Sequence, residues 1–208
     1  MSSTYLRRYT DLPALIYLLV ERKITLLDPQ SWDDRNDSYY LRLYREKKGL
    51  GSVLALCFTQ AHETYHHWRV FANGSSGVCI RFDRSGLLRA LKKQPDTRTG
   101  TTNYLKLAEI QSMKIASQDL PFLKRQPFED ENEFRVIYES NKRRVRTLDI
   151  PIPLSCISKI TLSPWLYYGA YTAVKRRLKS IEGCNSLAIV RSTLTDNEKW
   201  KAFGDSAT

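Results

Sequence analysis

One uninterrupted apolar run constrains the fold of this chain more than any other segment. Residues 53–59 read Val-Leu-Ala-Leu-Cys-Phe-Thr and follow a turn that contains Gly49 and Gly51. A strand with one solvated face alternates apolar and polar residues, whereas a continuously apolar run is typical of a strand covered on both faces. We therefore predict that this segment is a central strand of a sheet.

Shorter segments with strand and helix patterns surround this run. Strands are predicted at 5–9, 23–27, 77–82, 104–109, 133–138, 145–150, 157–162 and 187–192. Helices are predicted after a capping Asp11, with Leu12, Leu15, Ile16 and Leu19 on one face, and at 39–47, 64–71, 85–92 and 168–181. Residues 94–102 are predicted to form a loop. This irregular order indicates an α+β fold rather than a doubly wound parallel sheet, and residues 1–208 are expected to form a single domain.

The charge balance favours anionic partners. The chain has 33 Lys and Arg against 22 Asp and Glu, a formal net charge of +11. Such a surplus attracts phosphate-bearing molecules and releases their counterions, although a basic solubility shell is the alternative interpretation. A nucleic acid is therefore an expected partner.

Other features of the sequence point to the cytoplasm. No apolar run approaches the ~18 residues of a membrane span, and the N-terminus lacks the pattern of a secretory signal. The four cysteines lie far apart with no Cys-x-x-Cys spacing, as expected of free thiols in a reducing compartment; they are Cys57, Cys79, Cys156 and Cys184.

The segment from His62 to His66 contains the pattern His-Glu-x-x-His. On a helix this spacing sets two imidazoles one turn apart as zinc ligands, with the glutamate as general base. A catalytic zinc needs a third ligand, and the only other histidine, His67, lies in the same cluster. We therefore predict no metal site and keep a zinc hydrolase as an alternative. The plainer interpretation of His66 and His67 is one packed and one surface imidazole.

An acidic segment precedes the strand at 133–138. Strand periodicity would place Glu131, Glu133 and Arg135 on one face and Phe134 on the other. A carboxylate pair at this spacing can orient a hydroxyl group or stabilise a developing cation. A plain salt-bridged strand face on the protein surface is the alternative, and the residues alone favour it.

Two basic clusters are candidates for contact with nucleic acid. The first is a predicted hairpin tip with Lys142, Arg143, Arg144 and Arg146, and the second is the side of the late helix that carries Lys175, Arg176 and Lys179. Trp165, Tyr167 and Tyr168 precede this helix, and basic residues interleaved with aromatic residues suit a single strand. A solvated helix face is the alternative, and for the helix alone it is the preferred interpretation.

The order of several short motifs resembles a large bacterial family known as domain of unknown function 2971. The motifs are Leu-Arg-Arg-Tyr at 6–9, Asp-Pro-Gln-Ser-Trp-Asp-Asp at 28–34 with Asn36 and Asp37, Leu-Cys-Phe-Thr at 56–59, Glu-Thr-Tyr-His-His-Trp at 63–68, Gly-Val-Cys-Ile-Arg-Phe at 77–82, and Lys124 with Glu-Asn-Glu-Phe-Arg at 131–135. The resemblance covers most of the chain, from about Tyr5 to Tyr138. That family name implies no activity.

A more remote similarity does imply an activity. ADP-ribosyltransferases of the Arg-Ser-Glu type have an Arg on the first strand, a Ser or Thr on a central strand and a Glu-x-Glu motif on a later strand. Arg8, Thr59 and Glu131-Asn132-Glu133 follow the same order, although the central motif is Cys-Phe-Thr rather than Ser-Thr-Ser. The similarity implies a split, mainly antiparallel sheet with flanking helices and with NAD bound as substrate in its cleft.

The same similarity implies roles for individual residues. Arg8 would bind the pyrophosphate, Glu133 would stabilise an oxocarbenium-like centre, and Glu131 would orient or deprotonate the acceptor. Thr59 would support Glu133 by hydrogen bonding. The remaining predicted cofactor contacts are Tyr9, His66, Trp68 and Arg135.

The family resemblance also implies a biological setting. The activity would be that of a toxin or phage-defence effector that modifies a nucleic acid or a protein, with a neutralising antitoxin protein as a possible partner. A non-catalytic, basic nucleic-acid-binding module is the alternative. The enzyme hypothesis requires Arg8, Thr59 and Glu133 to meet in one cleft.

Overall fold

The apolar run at 53–59 forms the central strand of the sheet. The computed structural model describes residues 3–72, 74–142, 144–205 and 207. β3 (Ser52–Thr59) is buried at every position except Cys57 and pairs along its whole length with β8 (Glu133–Ser140). Its side chains alternate between two hydrophobic clusters, with Leu54 in the larger and Val53 in the smaller. Coverage of both faces explains why the run is apolar throughout.

The sheet is mainly antiparallel, as predicted. Its other strands are β1 (Tyr5–Asp11), β2 (Lys23–Leu27), β4 (Gly77–Asp83), β5 (Thr97–Thr101), β9 (Thr147–Pro151), β10 (Ile157–Leu162) and β11 (Ile189–Arg191). The order is β11-β10-β4-β1-β3-β2-β9, with β8 on β3 and β5 on β8. A separate pair consists of β6 (Asn103–Leu105) and β7 (Leu123–Arg125). Among the described residues, only this pair and β10–β11 are parallel.

Seven α-helices flank the sheet within the described ranges. They are α1 (Leu12–Glu21), α2 (Arg35–Lys47), α3 (Tyr65–Phe71), α4 (Arg84–Leu91), α5 (Leu107–Ser112), α6 (Tyr168–Lys179) and α7 (Glu198–Asp205). The predicted cap of α1 is confirmed, since Asp11 accepts a hydrogen bond from the Ala14 N–H at 2.9 Å. The buried face of α1 includes Leu18, whereas Ile16 of the predicted face is exposed. The α+β class is thus confirmed.

The sheet is split along one edge of β3. β1 meets this edge through the couple Arg7–Thr59, and β2 meets it through the couple Leu27–Ala55. Between these two points β1 and β2 diverge from β3, and a gap opens beside Cys57. The split predicted from the remote similarity is therefore present.

Three sequence-based element assignments need correction. The predicted loop at 94–102 contains β5, an edge strand that pairs with β8. Thr, Asp and Gly hide this strand in the sequence, and its pairing partner lies far along the chain. The predicted strand at 104–109 ends at Leu105, because Glu109 accepts from the Lys106 N–H at 2.7 Å and helps to begin α5. The predicted strand at 145–150 begins at Thr147.

Two further findings concern membrane-spanning helices and the state of the cysteines. In the part of the chain that is described, no helix combines the length and apolar character needed to span a membrane. Cys57, Cys79, Cys156 and Cys184 are all free thiols, and burial raises the pKa of each.

Candidate functional site

A cleft of about 430 Å³ lies over the gap between β1, β2 and β3. Its floor is the stretch of β3 from Ala55 to Thr59, and its walls come from β1, α2, α3 and the segment 124–133. Apolar side chains on its rim include Leu27, Val70 and Phe71. Concave sites of this size, apolar with a few convergent polar groups, are typical of small-molecule binding.

Arg8, Thr59 and Glu133 all line this cleft. Thr59 faces Glu133 across the β3–β8 pair and faces Arg7 across the β1–β3 pair. Since neighbouring strands lie about 4.8 Å apart, Arg7, Thr59 and Glu133 stand level on three adjacent strands, and Arg8 follows Arg7 along β1. The convergence that the enzyme hypothesis requires is present.

Glu133 is held from beneath by Arg135. The Arg135 Nε and Nη2 atoms donate to the two carboxylate oxygens of Glu133, each at 2.8 Å. The same guanidinium pairs with both carboxylate oxygens of Asp37, and its Nη1 donates to the Pro121 carbonyl at 2.9 Å. Arg135 is fully buried and lies below the cleft. Its predicted contact with a cofactor is therefore corrected to a supporting position.

A second cation, Lys124, lies among the same carboxylates. Its Nζ atom is 2.5 Å from Glu131, 3.5 Å from Glu133 and 3.7 Å from Asp37. We call these four residues, together with Arg135, the acidic cluster. When all are ionised, its three carboxylates and two cations leave one negative charge beside the cleft. The cluster is buried, so the alternative of a salt-bridged surface face is wrong.

Glu131 reaches this cluster from outside the strand. The prediction placed it on the strand with Glu133, but it is the last residue of a 3-10 helix, Gln126–Glu131, and β8 begins at Glu133. Between them Asn132 has a φ of 42°, in the left-handed region that Asn tolerates better than most residues. This turn directs both carboxylates toward Lys124.

The carboxyl groups of the acidic cluster differ in pKa. Burial would raise the pKa of Glu133, but the Arg135 guanidinium and the Lys124 ammonium outweigh it and keep that pKa below its ordinary value. For Glu131 and Asp37, burial prevails over the cations and raises the pKa. Glu133 is thus the carboxylate that stays ionised, and Glu131 is the better proton acceptor.

We expect the variant Glu131→Gln to gain stability relative to wild type as the pH rises. A group whose pKa is raised by folding stabilises the folded state while it is protonated, and this contribution is lost as the pH rises through the folded pKa. The pKa of Glu131 lies above its ordinary value of 4.5. The difference in unfolding free energy should therefore shift in favour of the variant as the pH rises above about 4.5.

Urea unfolding at a series of pH values measures this shift. Glu129→Gln, which changes an exposed carboxylate on the same 3-10 helix, is the control and should show a constant difference. A difference for Glu131→Gln that stays constant, or that moves against the variant, would contradict the prediction.

The opposite wall of the cleft is cationic. Arg8 is half-buried, and its Nη1 donates to the Cys57 carbonyl at 3.2 Å across the gap. Arg7 donates from its Nη1 to the Ala61 carbonyl at 2.8 Å. Within the described residues neither guanidinium forms an ion pair with a carboxylate. Both keep N–H groups for an anion.

One polar atom of a cleft-lining residue, the Asp34 Oδ2 atom, is buried without a partner in the described part of the chain. The other Asp34 oxygen caps α2 through the Asn36 N–H at 3.0 Å. A buried polar atom without a partner costs free energy, and a ligand in the cleft can supply the missing hydrogen bond.

His67, rather than the predicted His66, faces the cleft. Its Nδ1 lies 2.6 Å from the Thr64 hydroxyl and its Nε2 lies 3.1 Å from the Thr59 hydroxyl. Burial lowers the pKa of His67, and its ring stacks on Tyr9 with centroids 5.3 Å apart. His66 is exposed, so one packed and one surface imidazole are found.

Thr59 supports the acidic cluster by a different route from the one predicted. Its hydroxyl donates to the Glu131 carbonyl at 2.6 Å and accepts from the Ala61 N–H at 3.0 Å. The predicted hydrogen bond to the Glu133 side chain is therefore replaced by one to the backbone of the turn before β8. Thr59 and His67 fix that turn together.

Trp68 does not reach the cleft. It is fully buried against Tyr9, with ring centroids 5.2 Å apart, and its Nε1 donates to Glu63 at 2.7 Å. Glu63 also accepts from the Ser192 hydroxyl. The predicted cofactor contact of Trp68 is corrected to a core contact that positions Tyr9.

The geometry of a zinc hydrolase is absent from the described residues. α3 begins at Tyr65, so His62 and Glu63 precede the helix and the two histidines are not one helical turn apart. No group of three or more metal-ligating side chains occurs among those residues. The zinc alternative loses its structural basis.

The predicted basic clusters lie outside the cleft. Lys142, Arg144 and Arg146 are exposed near the N-terminal end of β3, where Arg144 and Arg146 border a separate concavity of about 370 Å³ with Arg45. Arg143 lies outside the described residues. On α6, Arg176 is exposed, whereas Lys175 and Lys179 are half-buried.

Sequence reasoning missed several residues of the site. They include Arg7, Asp34, Asp37, His67, Val70, Phe71 and Lys124. Asp37 and Lys124 belong to the quoted motifs but had no assigned role. No local signal could have indicated Arg7, because its position level with Thr59 depends on the register between β1 and β3.

Comparison with known proteins gives the following findings. No family model matches the chain, so the resemblance to domain of unknown function 2971 stays a prediction, and no curated protein matches. Three solved structures of DarT from Thermus sp. 2.9 are similar in structure. The complex with carba-NAD+ has 11% identity, a TM-score of 0.47 and coverage of 92% of this chain and 97% of that chain. The complex with NAD+ has 11% identity, a TM-score of 0.47 and coverage of 92% of this chain and 96% of that chain. The complex with ADP-ribosylated ssDNA has 10% identity, a TM-score of 0.48 and coverage of 92% of this chain and 95% of that chain.

Proposed function

We propose that this protein transfers ADP-ribose from NAD to a nucleophilic acceptor. The observation that carries the proposal is the meeting of Arg8, Thr59 and Glu133, from three distant segments, in one cleft. The cleft is cationic at Arg7 and Arg8 and acidic at the cluster around Glu133. NAD has the complementary pattern, since its pyrophosphate is anionic and its nicotinamide ring is cationic.

Each residue then has a chemical role. The guanidinium of Arg8 binds the pyrophosphate, with Arg7 beside it. The ionised Glu133 lies beneath the nicotinamide ribose and stabilises the positive charge that develops on C1′. The bond from C1′ to the nicotinamide nitrogen breaks, and its electron pair leaves with nicotinamide. The acceptor forms the new bond to C1′ and gives its proton to Glu131.

The cleft walls supply further contacts. The Asp34 Oδ2 atom lacks a partner and suits a hydroxyl group of a ribose. Phe71 and Val70 offer apolar surface at the rim for a base. Lys124 forms ion pairs with both Glu131 and Glu133 and so reduces the repulsion between their carboxylates. Its ion pair with Glu131 must break when the acceptor enters.

The direct test is incubation of the purified protein with NAD. Release of nicotinamide, and transfer of labelled ADP-ribose to a single-stranded DNA, RNA, duplex or protein acceptor, is the expected result. Intact NAD with every acceptor in the panel would overturn the proposal. If transfer occurs, we further propose that the protein acts in the cytoplasm as a toxin or phage-defence effector, with a neutralising antitoxin protein, so that expression would arrest bacterial growth.

Arg8→Gln is expected to weaken NAD binding by roughly 10- to 150-fold, because it removes charge-assisted hydrogen bonds to the pyrophosphate. Isothermal titration calorimetry in a Glu133→Gln background measures binding without turnover. The control is Arg42→Gln in the same background, since Arg42 lies on the exposed side of α2. Equal affinity in the Arg8 variant and the control would remove Arg8 from the site.

A non-catalytic nucleic-acid-binding module is the second candidate. The exposure of Lys142, Arg144, Arg146 and Arg176 favours it. Under this function, salt-dependent binding would persist in Glu133→Gln and would disappear after charge reversal at Arg144 and Arg176, while NAD would stay intact.

A further inference from the structure

A group of exposed aromatic side chains lies beside the cleft, on the far side of α3. Tyr65, on α3, is 51% exposed. Tyr167 is 72% exposed just before α6, and Trp165, two residues earlier in the chain, is half-buried. Together with Arg69 we call these residues the aromatic platform. Large aromatic side chains that remain this exposed indicate a contact surface.

Three of the four platform residues, Tyr65, Arg69 and Trp165, contact one another before any partner arrives. The Arg69 Cζ lies 5.2 Å from the Tyr65 ring centroid and 4.7 Å from that of Trp165, and its Nε donates to the Tyr65 hydroxyl at 2.8 Å. The two rings are 5.9 Å apart at 76°. A surface that is already ordered loses little conformational entropy on binding.

The backbone that presents Trp165 and Tyr167 is also fixed. Arg191 donates from its Nε to the Leu166 carbonyl at 2.6 Å and from its Nη2 to the Pro164 carbonyl at 2.7 Å. Tyr167 lies close over Gly169, where an added Cβ would come within 2.6 Å of the ring. The absence of a side chain at Gly169 therefore allows this ring position.

One short helix connects the platform with the cleft. α3 has seven residues, about 10 Å of helix. Val70 and Phe71 at its C-terminal end line the cleft, whereas Tyr65 and Arg69 belong to the platform. A flexible polymer bound on the platform could thus place its next units at the cleft mouth.

We propose that the aromatic platform binds unpaired bases of a single-stranded nucleic acid. Every base has a π face that stacks on Tyr or Trp, and the Arg69 cation strengthens such stacking while it attracts phosphates. The net charge of +11 favours a polyanion. A duplex hides its base faces and does not fit this chemistry. The platform would hold the acceptor, and in this role it rests on the proposed function.

The test uses a fluorescein-labelled single strand of about 12 nucleotides, as DNA and as RNA, and fluorescence anisotropy in the absence of NAD. The double variant Tyr65→Ala/Tyr167→Ala should bind it roughly 5- to 150-fold more weakly than wild type, the effect of losing one stacked base. The matched control is Tyr17→Ala. Tyr17 is exposed and bonds Asp149 of β9, at the edge of the sheet opposite β10 and β11.

Several outcomes would overturn the platform. They are no binding by wild type, equal binding by the double variant, an equal loss of binding to heparin or to a duplex, and wild-type recruitment to anionic vesicles in place of oligonucleotides. Loss confined to single strands supports it. Because this assay needs no NAD, it is independent of nicotinamide release. If the double variant binds single strands as well as wild type does while NAD is consumed, the platform is wrong and the proposed function stands. If NAD stays intact while the double variant loses binding to single strands, the platform stands and the proposed function is wrong.

Discussion

Glu133→Gln is expected to lower the rate of nicotinamide release by at least about 10²- to 10³-fold, the usual cost of removing a preorganised electrostatic stabiliser. Glutamine keeps the size of the side chain but removes the charge beneath the ribose. Its amide nitrogen also faces Arg135 or Lys124, which offer only donors. The measurement is nicotinamide formation under saturating NAD.

The control for this loss is Glu129→Gln, an exposed carboxylate four residues earlier. It should release nicotinamide at the wild-type rate. Circular dichroism must show that Glu133→Gln remains folded. A folded Glu133→Gln protein that keeps more than about a tenth of the wild-type rate would remove Glu133 from the chemistry.

Arg135→Met is expected to reduce the free energy of unfolding by about 3–5 kcal/mol, because it leaves buried carboxylates without their main cation. Arg135 is wholly buried and binds both Asp37 and Glu133. Domains of this size have about 5–15 kcal/mol of stability, so much of it would be lost. Urea unfolding at neutral pH measures the change.

Two further variants make this test specific. Asp37→Asn/Arg135→Met removes a charge as well as its partner, so it should be more stable than the sum of the two single changes predicts. Arg42→Met breaks an exposed pair with Glu46 and should cost less than about 1 kcal/mol. A cost for Arg135→Met as small as that of Arg42→Met would show that the acidic cluster does not stabilise the fold.

The sequence predicted the strands and helices that have strong periodicity. The apolar run at 53–59 and the cap at Asp11 are local signals, and each was sufficient to predict its own element, β3 and α1. β5 was missed because Thr97, Gly100 and Thr101 become a strand only through pairing with β8. That pairing is a tertiary contact, which overrides weak local propensity.

The site was predictable in part. Arg8, Thr59 and Glu133 came from the order of motifs, and the structure brings them into one cleft. Arg135 and Trp68 were predicted as cofactor contacts, but both are buried supports. Lys124 could not be given a role from spacing, because its contacts depend on the left-handed turn at Asn132.

The attachment of two diverging strands to one edge of β3 has a consequence for the evolution of this cleft. Leu27 and Arg7 are anchored four residues apart, at Ala55 and Thr59, which is roughly 14 Å along the strand. The length of β3 between these two attachment points sets the width of the cleft mouth. Adding two residues would widen it by about 7 Å and keep every side chain on its own face, whereas adding one would turn Thr59 away from Glu133. Relatives that accept larger or smaller ligands should therefore differ here by even numbers of residues.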